Sequence, residues 1–232
     1  MTISATEVRG LYFTKPNPTH SNDRVNNSEA ARELHAAYHR ALERPESLFH
    51  VPNLSVATDE PAIDVFVYRP DARGRLLVTA GLSTAVQGSK SQPTHRPHVE
   101  LYTRVPAELG HAQLEEACRG LWRLANTPFT GQRRPLSEWH TVKGIPPLGD
   151  GSLINAFLLT MPTDVDDALR QLGEELDVQF LHAYGLTKAE QRLASAMKPS
   201  ALPRLAMSMF AQVGPYTDPL RSESNIDALV HS

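Results

Sequence analysis

Residues 64–80 read DVFVYRPDARGRLLVTA, and this stretch decides the fold. Asp64-Val65-Phe66-Val67-Tyr68 and Arg75-Leu76-Leu77-Val78-Thr79-Ala80 are runs of β-branched, aromatic and aliphatic residues of strand length. The link between them, Pro70-Asp71-Ala72-Arg73-Gly74, is made of the residues that turns require. Two strands joined by a turn are therefore expected here. Downstream, His98 to Val105 alternates, with Val99, Leu101, Thr103 and Val105 on one side, which predicts a half-buried antiparallel-type strand. The segment between, Gly81 to Pro97, is polar and rich in turn residues and reads as a loop.

On either side of this centre the period changes to that of a helix. Ala30, Ala31, Leu34, Ala37, Tyr38, Ala41 and Leu42 recur at helical spacing after Ser28, a capping residue, and Pro45 stops the pattern. Leu114, Ala117, Cys118, Leu121, Trp122, Leu124 and Ala125 form the apolar stripe of a second helix over Gln113 to Ala125. Leu136 to Val142, Leu153 to Met161 and Val178 to Ala183 predict strands, with a short helix over Val165 to Gly173. Asp164, Asp166 and Asp167 in its first turn suit the helix dipole. Thr187 and Glu190 form a capping box for a helix over Lys188 to Met197, and a last helix runs from about Leu202 to Gln212. The expected fold class is α+β: a mixed, mostly antiparallel sheet covered by helices. Residues 1–28 read as a lead-in, 29–224 as one domain and 225–232 as a flexible tail.

Composition bounds the function. The chain has 232 residues, 41% hydrophobic and 21% charged, and a formal net charge of −3. That balance provides no global attraction to nucleic acid or to an anionic membrane. A lone cysteine, Cys118, excludes an internal disulfide and a thiolate zinc site within one chain. The start lacks the basic and apolar regions of a secretory signal, and no apolar run has the length of a membrane span, so a cytoplasmic location is expected.

Residues capable of chemistry are present but form no catalytic pattern. Ser83 in Ala80-Gly81-Leu82-Ser83 lacks the downstream glycine of a nucleophile elbow and reads as the close of a strand-to-loop turn. His35 and His39 stand four apart on a helix, and His95, His98 and His140 are further candidate metal ligands or bases. A metal-dependent or hydrolytic enzyme would need at least three of them to converge. Exposed histidines are the plainer reading. Ala206, Met207, Met209 and Phe210 crowd the last helix, as a core face or as the dock of a larger assembly.

The order of segments carries more than any one of them. Leu76-Leu77-Val78-Thr79-Ala80-Gly81-Leu82-Ser83, then Val99-Glu100-Leu101, Leu121-Trp122-Arg123-Leu124-Ala125, Trp139-His140-Thr141 and the strand Leu153 to Pro162 follow one another with compatible gaps. Val178-Gln179-Phe180-Leu181, Leu186-Thr187-Lys188-Ala189-Glu190 and Asp218-Pro219-Leu220-Arg221-Ser222-Glu223-Ser224 complete the set. This ordered series, over about 64–224, resembles the Suppressor of fused family. The resemblance implies an α+β domain that binds protein partners and performs no chemistry, with no cofactor and no metal. Animal members sequester a transcription factor and carry a second, C-terminal domain, which this chain is too short to hold. Single-domain members look bacterial, and many are thought to be immunity proteins of polymorphic toxin systems.

The expectation is therefore a cytoplasmic immunity protein, monomer or weak dimer, whose partner is a cognate toxin and which binds neither nucleic acid nor membrane. In the animal protein a partner peptide adds to a sheet edge beside the strand that ends in the G-L-S turn. That maps to Leu76 to Ser83 and the loop after it. Leu77, Thr79, Ser83, Thr84, Gln87, Lys90, Arg96 and His98 are the candidate partner-binding residues.

Overall fold

The computed structural model describes residues 12–14, 29–42, 44–50, 63–84, 98–129, 135–162, 167–226 and 229. Its strands are β1 (Tyr12–Thr14), β2 (Ser47–His50), β3 (Asp64–Val67), β4 (Arg75–Ala80), β5 (His98–Val105), β6 (Thr141–Lys143), β7 (Ile154–Thr160) and β8 (Val178–Thr187). The helices are α1 (Glu29–Ala41), α2 (His111–Asn126), α3 (Asp167–Leu176), α4 (Lys188–Ala196) and α5 (Leu202–Val213). All eight strands join one sheet in the order β1-β2-β3-β4-β5-β8-β7-β6. Six pairings are antiparallel, and only β5 with β8 is parallel, His98 to Tyr102 lying beside Val178 to His182. The fold is the expected α+β arrangement, and β3 with β4 is the antiparallel pair that residues 64–80 announce, Asp64 opposite Ala80.

Side-chain alternation decides which helix goes where, because successive residues of a strand face opposite sides. Val65, Val67, Leu77, Val99, Leu101, Leu159 and Leu181 point to one face, where Leu114, Cys118, Leu121, Leu124 and Ala125 of α2 cover them. Cys118 is fully buried there and is packing material. On the other face Phe66, Leu76, Val78, Tyr102 and Phe180 meet Leu34, Ala37 and Tyr38 of α1 and Leu169 and Leu172 of α3. Further along that face, Ala156, Leu158, Tyr184 and Leu186 meet Ala194 of α4 and Leu202, Leu205, Ala206 and Met209 of α5. The result is three layers, with burial of each large aliphatic side chain contributing about 1.5–3 kcal/mol. Tyr102, His182, Tyr184 and Phe210 make a ring-to-ring chain that joins the two helix groups on the second face.

Several expectations change. β5 is buried on both faces from Val99 to Val105 and is antiparallel to β4 but parallel to β8, so it is an interior strand and not a half-buried one. β8 runs to Thr187, four residues beyond the expected end, and the strand predicted over 136–142 forms only at Thr141–Lys143. β1 and β2 lie where the sequence suggested a lead-in and a loop. The Arg221 to Ser224 segment is packed: Arg221 and Ser224 are buried, and Leu229 joins the α4 and α5 cluster. α5 places Ala206 and Met209 in the core, leaving Met207 outside at 64% exposure. No helix among the described residues is long and apolar enough to cross a membrane.

Candidate partner-binding site

β4 ends at Ala80 and is followed by Gly81, whose φ of 112° is open to glycine and strained for other residues. The chain turns there, and the turn is fastened to one side chain. Glu100 on β5 is fully buried, and its Oε1 accepts from the Gly81 N–H at 3.0 Å, the Ser83 N–H at 2.8 Å and the Ser83 hydroxyl at 2.7 Å. Its Oε2 accepts from the Thr79 hydroxyl at 2.6 Å. The Leu101 N–H donates to Thr79 Oγ1 at 2.8 Å, so a side chain replaces a backbone acceptor where β4 and β5 separate. The Val99-Glu100-Leu101 stretch and the G-L-S turn are thus two halves of one device. Burial lifts the Glu100 carboxyl from 4.5 to about 7, against the opposing pull of its four donors.

The sequence-predicted contact residues divide around this device. Leu77 and Thr79 have no exposed surface, and β4 is paired with β3 on one side and β5 on the other. The expectation that this strand lies beside a free edge is therefore corrected: the outer strands of the described sheet are β1 and β6. Ser83 is buried as well and spends its hydroxyl on Glu100. Thr84 is half-buried and donates to the Gly81 carbonyl at 3.1 Å. His98 is exposed, and its Nδ1–H donates to the Ser83 carbonyl at 2.5 Å. Thr84 and His98 are thus brought together at the surface end of the turn. Gln87, Lys90 and Arg96 lie outside the described residues.

A second polar centre holds the closing segment. Thr187 caps α4, accepting from the Glu190 N–H, and Glu190 returns a bond to the Thr187 N–H. Glu190 is fully buried and takes a two-pronged contact from Arg221, Nη1 to Oε1 at 2.7 Å and Nη2 to Oε2 at 2.5 Å. The Ser224 N–H and hydroxyl also donate to Oε1, at 3.0 and 2.5 Å. Burial pushes the Glu190 carboxyl up, but the Arg221 guanidinium and these donors hold it below its ordinary value. Arg221 Nη2 also donates to the Gly185 carbonyl at 2.8 Å. Beyond the last β5–β8 pair, Thr217 enters the space between the strands. Its N–H donates to the Arg104 carbonyl at 2.8 Å, and its hydroxyl lies between the Ala183 carbonyl at 3.1 Å and the Gly185 N–H at 2.9 Å.

The histidines are placed separately. His35 packs edge-on against Phe66, with ring centres 4.9 Å apart, and is half-buried rather than exposed. His39 is exposed nearby. His140 Nε2 is 2.8 Å from the Ser137 hydroxyl, and His95 is outside the described residues. Among the described residues no group of three His, Cys, Asp or Glu side chains is placed to hold a metal ion.

The family model described as Suppressor of fused protein (SUFU) matches residues 59–222, well over half of the chain. The chain belongs to the Suppressor of fused family. No curated protein matches its sequence. Solved structures agree on the fold. A Suppressor of fused homologue from Neisseria gonorrhoeae FA 1090 is 16% identical, with a TM-score of 0.58 over 84% of this chain and 96% of that one. The Sufu–Fu complex gives 16% identity and a TM-score of 0.56 over 86% and 93%. Drosophila Suppressor of fused gives 15% and 0.57 over 87% of this chain, which spans about half of that protein (52%). The first polar centre falls within the matched residues and so does the second except for Ser224, and the two account physically for the G-L-S, V-E-L, T-x-x-E and closing R-S-E-S motifs.

Sequence reasoning identified these motifs without seeing what joins them. Glu100 was legible as one residue of an alternating strand and of the V-E-L segment, with no sign of the turn it fastens. The Glu190 to Arg221 pair spans 31 positions. The one local signal for it was the capping box, which identifies Glu190 as a helix-start residue and says nothing of its cation.

Proposed function

We propose that this chain is a non-catalytic protein-binding domain that neutralises a cognate toxin as its immunity partner in the bacterial cytoplasm. The observation that carries the reading is how the family motifs spend their polar groups. Ser83, Thr79 and Glu100 are bonded to one another, and Glu190, Arg221 and Ser224 likewise. These groups hold a turn and a closing segment in place instead of facing a substrate. A domain built in this way offers a rigid surface, which suits binding by a loop held on a scaffold. One structure of similar fold is a complex of two proteins, Sufu with Fu, and this supports a partner-binding role.

The contact surface in this reading is the outer end of the G-L-S turn, with Thr84 and His98, together with Gln87, Lys90 and Arg96 from the sequence between them. The test is co-expression of the chain with the product of its neighbouring gene, followed by co-purification and a growth assay. Stable association and rescue of growth are expected, and a double change of His98→Ala and Thr84→Ala weakens both. Absence of binding and of protection overturns the immunity reading.

A further inference from the structure

Apart from the two polar centres, the structure has a cleft of about 310 Å³ walled by four arginines and one carboxylate: Arg44, Arg69, Arg73, Arg104 and Asp71. It opens between the end of α1, the β3–β4 turn, β5 and the start of α3. Its floor and sides include the apolar Leu42, Leu76 and Leu169. Its volume lies at the low end of the range for small-molecule sites. Asp71 takes bonds from Arg73 at 2.9 Å and from Arg104 at 3.2 Å, so it orients two of the guanidinium groups. Arg104 is nine-tenths buried, with its side chain only 6% exposed. A buried guanidinium is held in place, and a fixed fork of donors is well suited to an oxyanion.

The second observation is Tyr68, which also lines the cleft. It is 5% exposed, and its hydroxyl is buried without a hydrogen-bond partner. A buried hydroxyl left unpaired costs about 1–3 kcal/mol, and such a group in a native structure calls for an explanation. A bound acceptor would supply one.

We propose that this cleft binds a phosphate monoester that carries a small apolar body. The four guanidinium groups on its walls make the cleft suited to an anion. The tetrahedral head has acceptors for several guanidinium forks and for the Tyr68 hydroxyl together. The leucines receive the apolar part. The site stands apart from the turn surface proposed for the protein partner, and its occupation does not depend on that reading.

The experiment is calorimetric titration of the intact protein, at low ionic strength, with phenyl phosphate and with inorganic phosphate. Phenyl phosphate is expected to saturate one site and to bind more tightly than inorganic phosphate. Tyr68→Phe removes one charge-assisted bond and weakens binding about ten-fold, while leaving the thermal melt unchanged or slightly raised. Arg69→Gln, at an exposed position, weakens binding and flattens its dependence on salt. Absence of saturable binding at millimolar phenyl phosphate overturns the proposal. So does equal affinity for the two phosphates, or full affinity in both variants.

Discussion

Replacing Glu100 with glutamine tests the physical account of the G-L-S turn. The carboxyl lies at about 7 in the folded chain and at 4.5 when burial is removed, so the folded state keeps a proton that the unfolded state has released. The stability from this group is fully present below pH 4.5 and is lost as pH rises through 7. At 1.36 kcal/mol for each pH unit of displacement, the loss is about 3 kcal/mol. That is a large part of the 5–15 kcal/mol typical of a domain. Glutamine keeps the shape and an oxygen for the Gly81 and Ser83 N–H groups but does not titrate.

The assay is urea unfolding of both proteins at intervals from pH 4.5 to 8, at low protein concentration because the sequence pI is near 6.4. His50, raised by its hydrogen bond to Asp64, loses stability in the same direction as pH rises. His35, lowered by burial, acts in the opposite sense. Both are present in the two proteins, so the difference between them isolates Glu100. The wild-type advantage should shrink by about 3 kcal/mol across the range. A flat difference would show that burial and the four donors cancel. A difference growing with pH would show that the donors win, and either result refutes the reasoning.

Arg221→Met leaves Glu190 buried without its cation and should cost about 3–5 kcal/mol at neutral pH, with partial recovery in urea midpoints as pH falls and the carboxyl protonates. Gly185→Ala sets a methyl 2.7 Å from Thr217 Cγ2 and 2.8 Å from Ile154 Cγ2, so a loss of about 1–3 kcal/mol in thermal unfolding is expected, and an unchanged melting point would show that Thr217 is not wedged. Thr187→Ala removes one half of the α4 capping box and should lower stability by about 1 kcal/mol, read from the same melts.

The elements legible in the sequence are those whose own residues carry the pattern. β3, β4 and β7 are apolar runs between turn residues, and α2 and α4 have a stripe or a capping box. β1 and β2 are three and four residues long, too short for a period to show; β2 is a strand because β3 offers it a partner, and β1 because β2 does. β5 alternated in polarity, yet Glu100, Thr103 and Arg104 are all buried because the G-L-S turn, Thr217 and Asp71 reach in to bond them. Polar residues satisfied by distant parts of the chain look like solvent-facing ones in a sequence. The same reason hid the burial of Arg221 and Ser224, whose partner Glu190 is on α4. At the candidate site, Ser83 was legible as the close of a turn, and the interior position of Leu77 and Thr79 was not, since strand order cannot be read from the run itself.

The threonine between β5 and β8 has a mechanical consequence. Each half of the sheet is stitched by antiparallel neighbours, and the halves meet along the one parallel pairing among the described strands, below which a side chain from a remote stretch closes the seam. Parallel pairing is slightly weaker per residue than antiparallel, so two plates joined in this way part along their join. Amides at the junction should therefore exchange with deuterium sooner than those within either plate, and clipping the chain after residue 213 should bring that exchange forward without unravelling the plates.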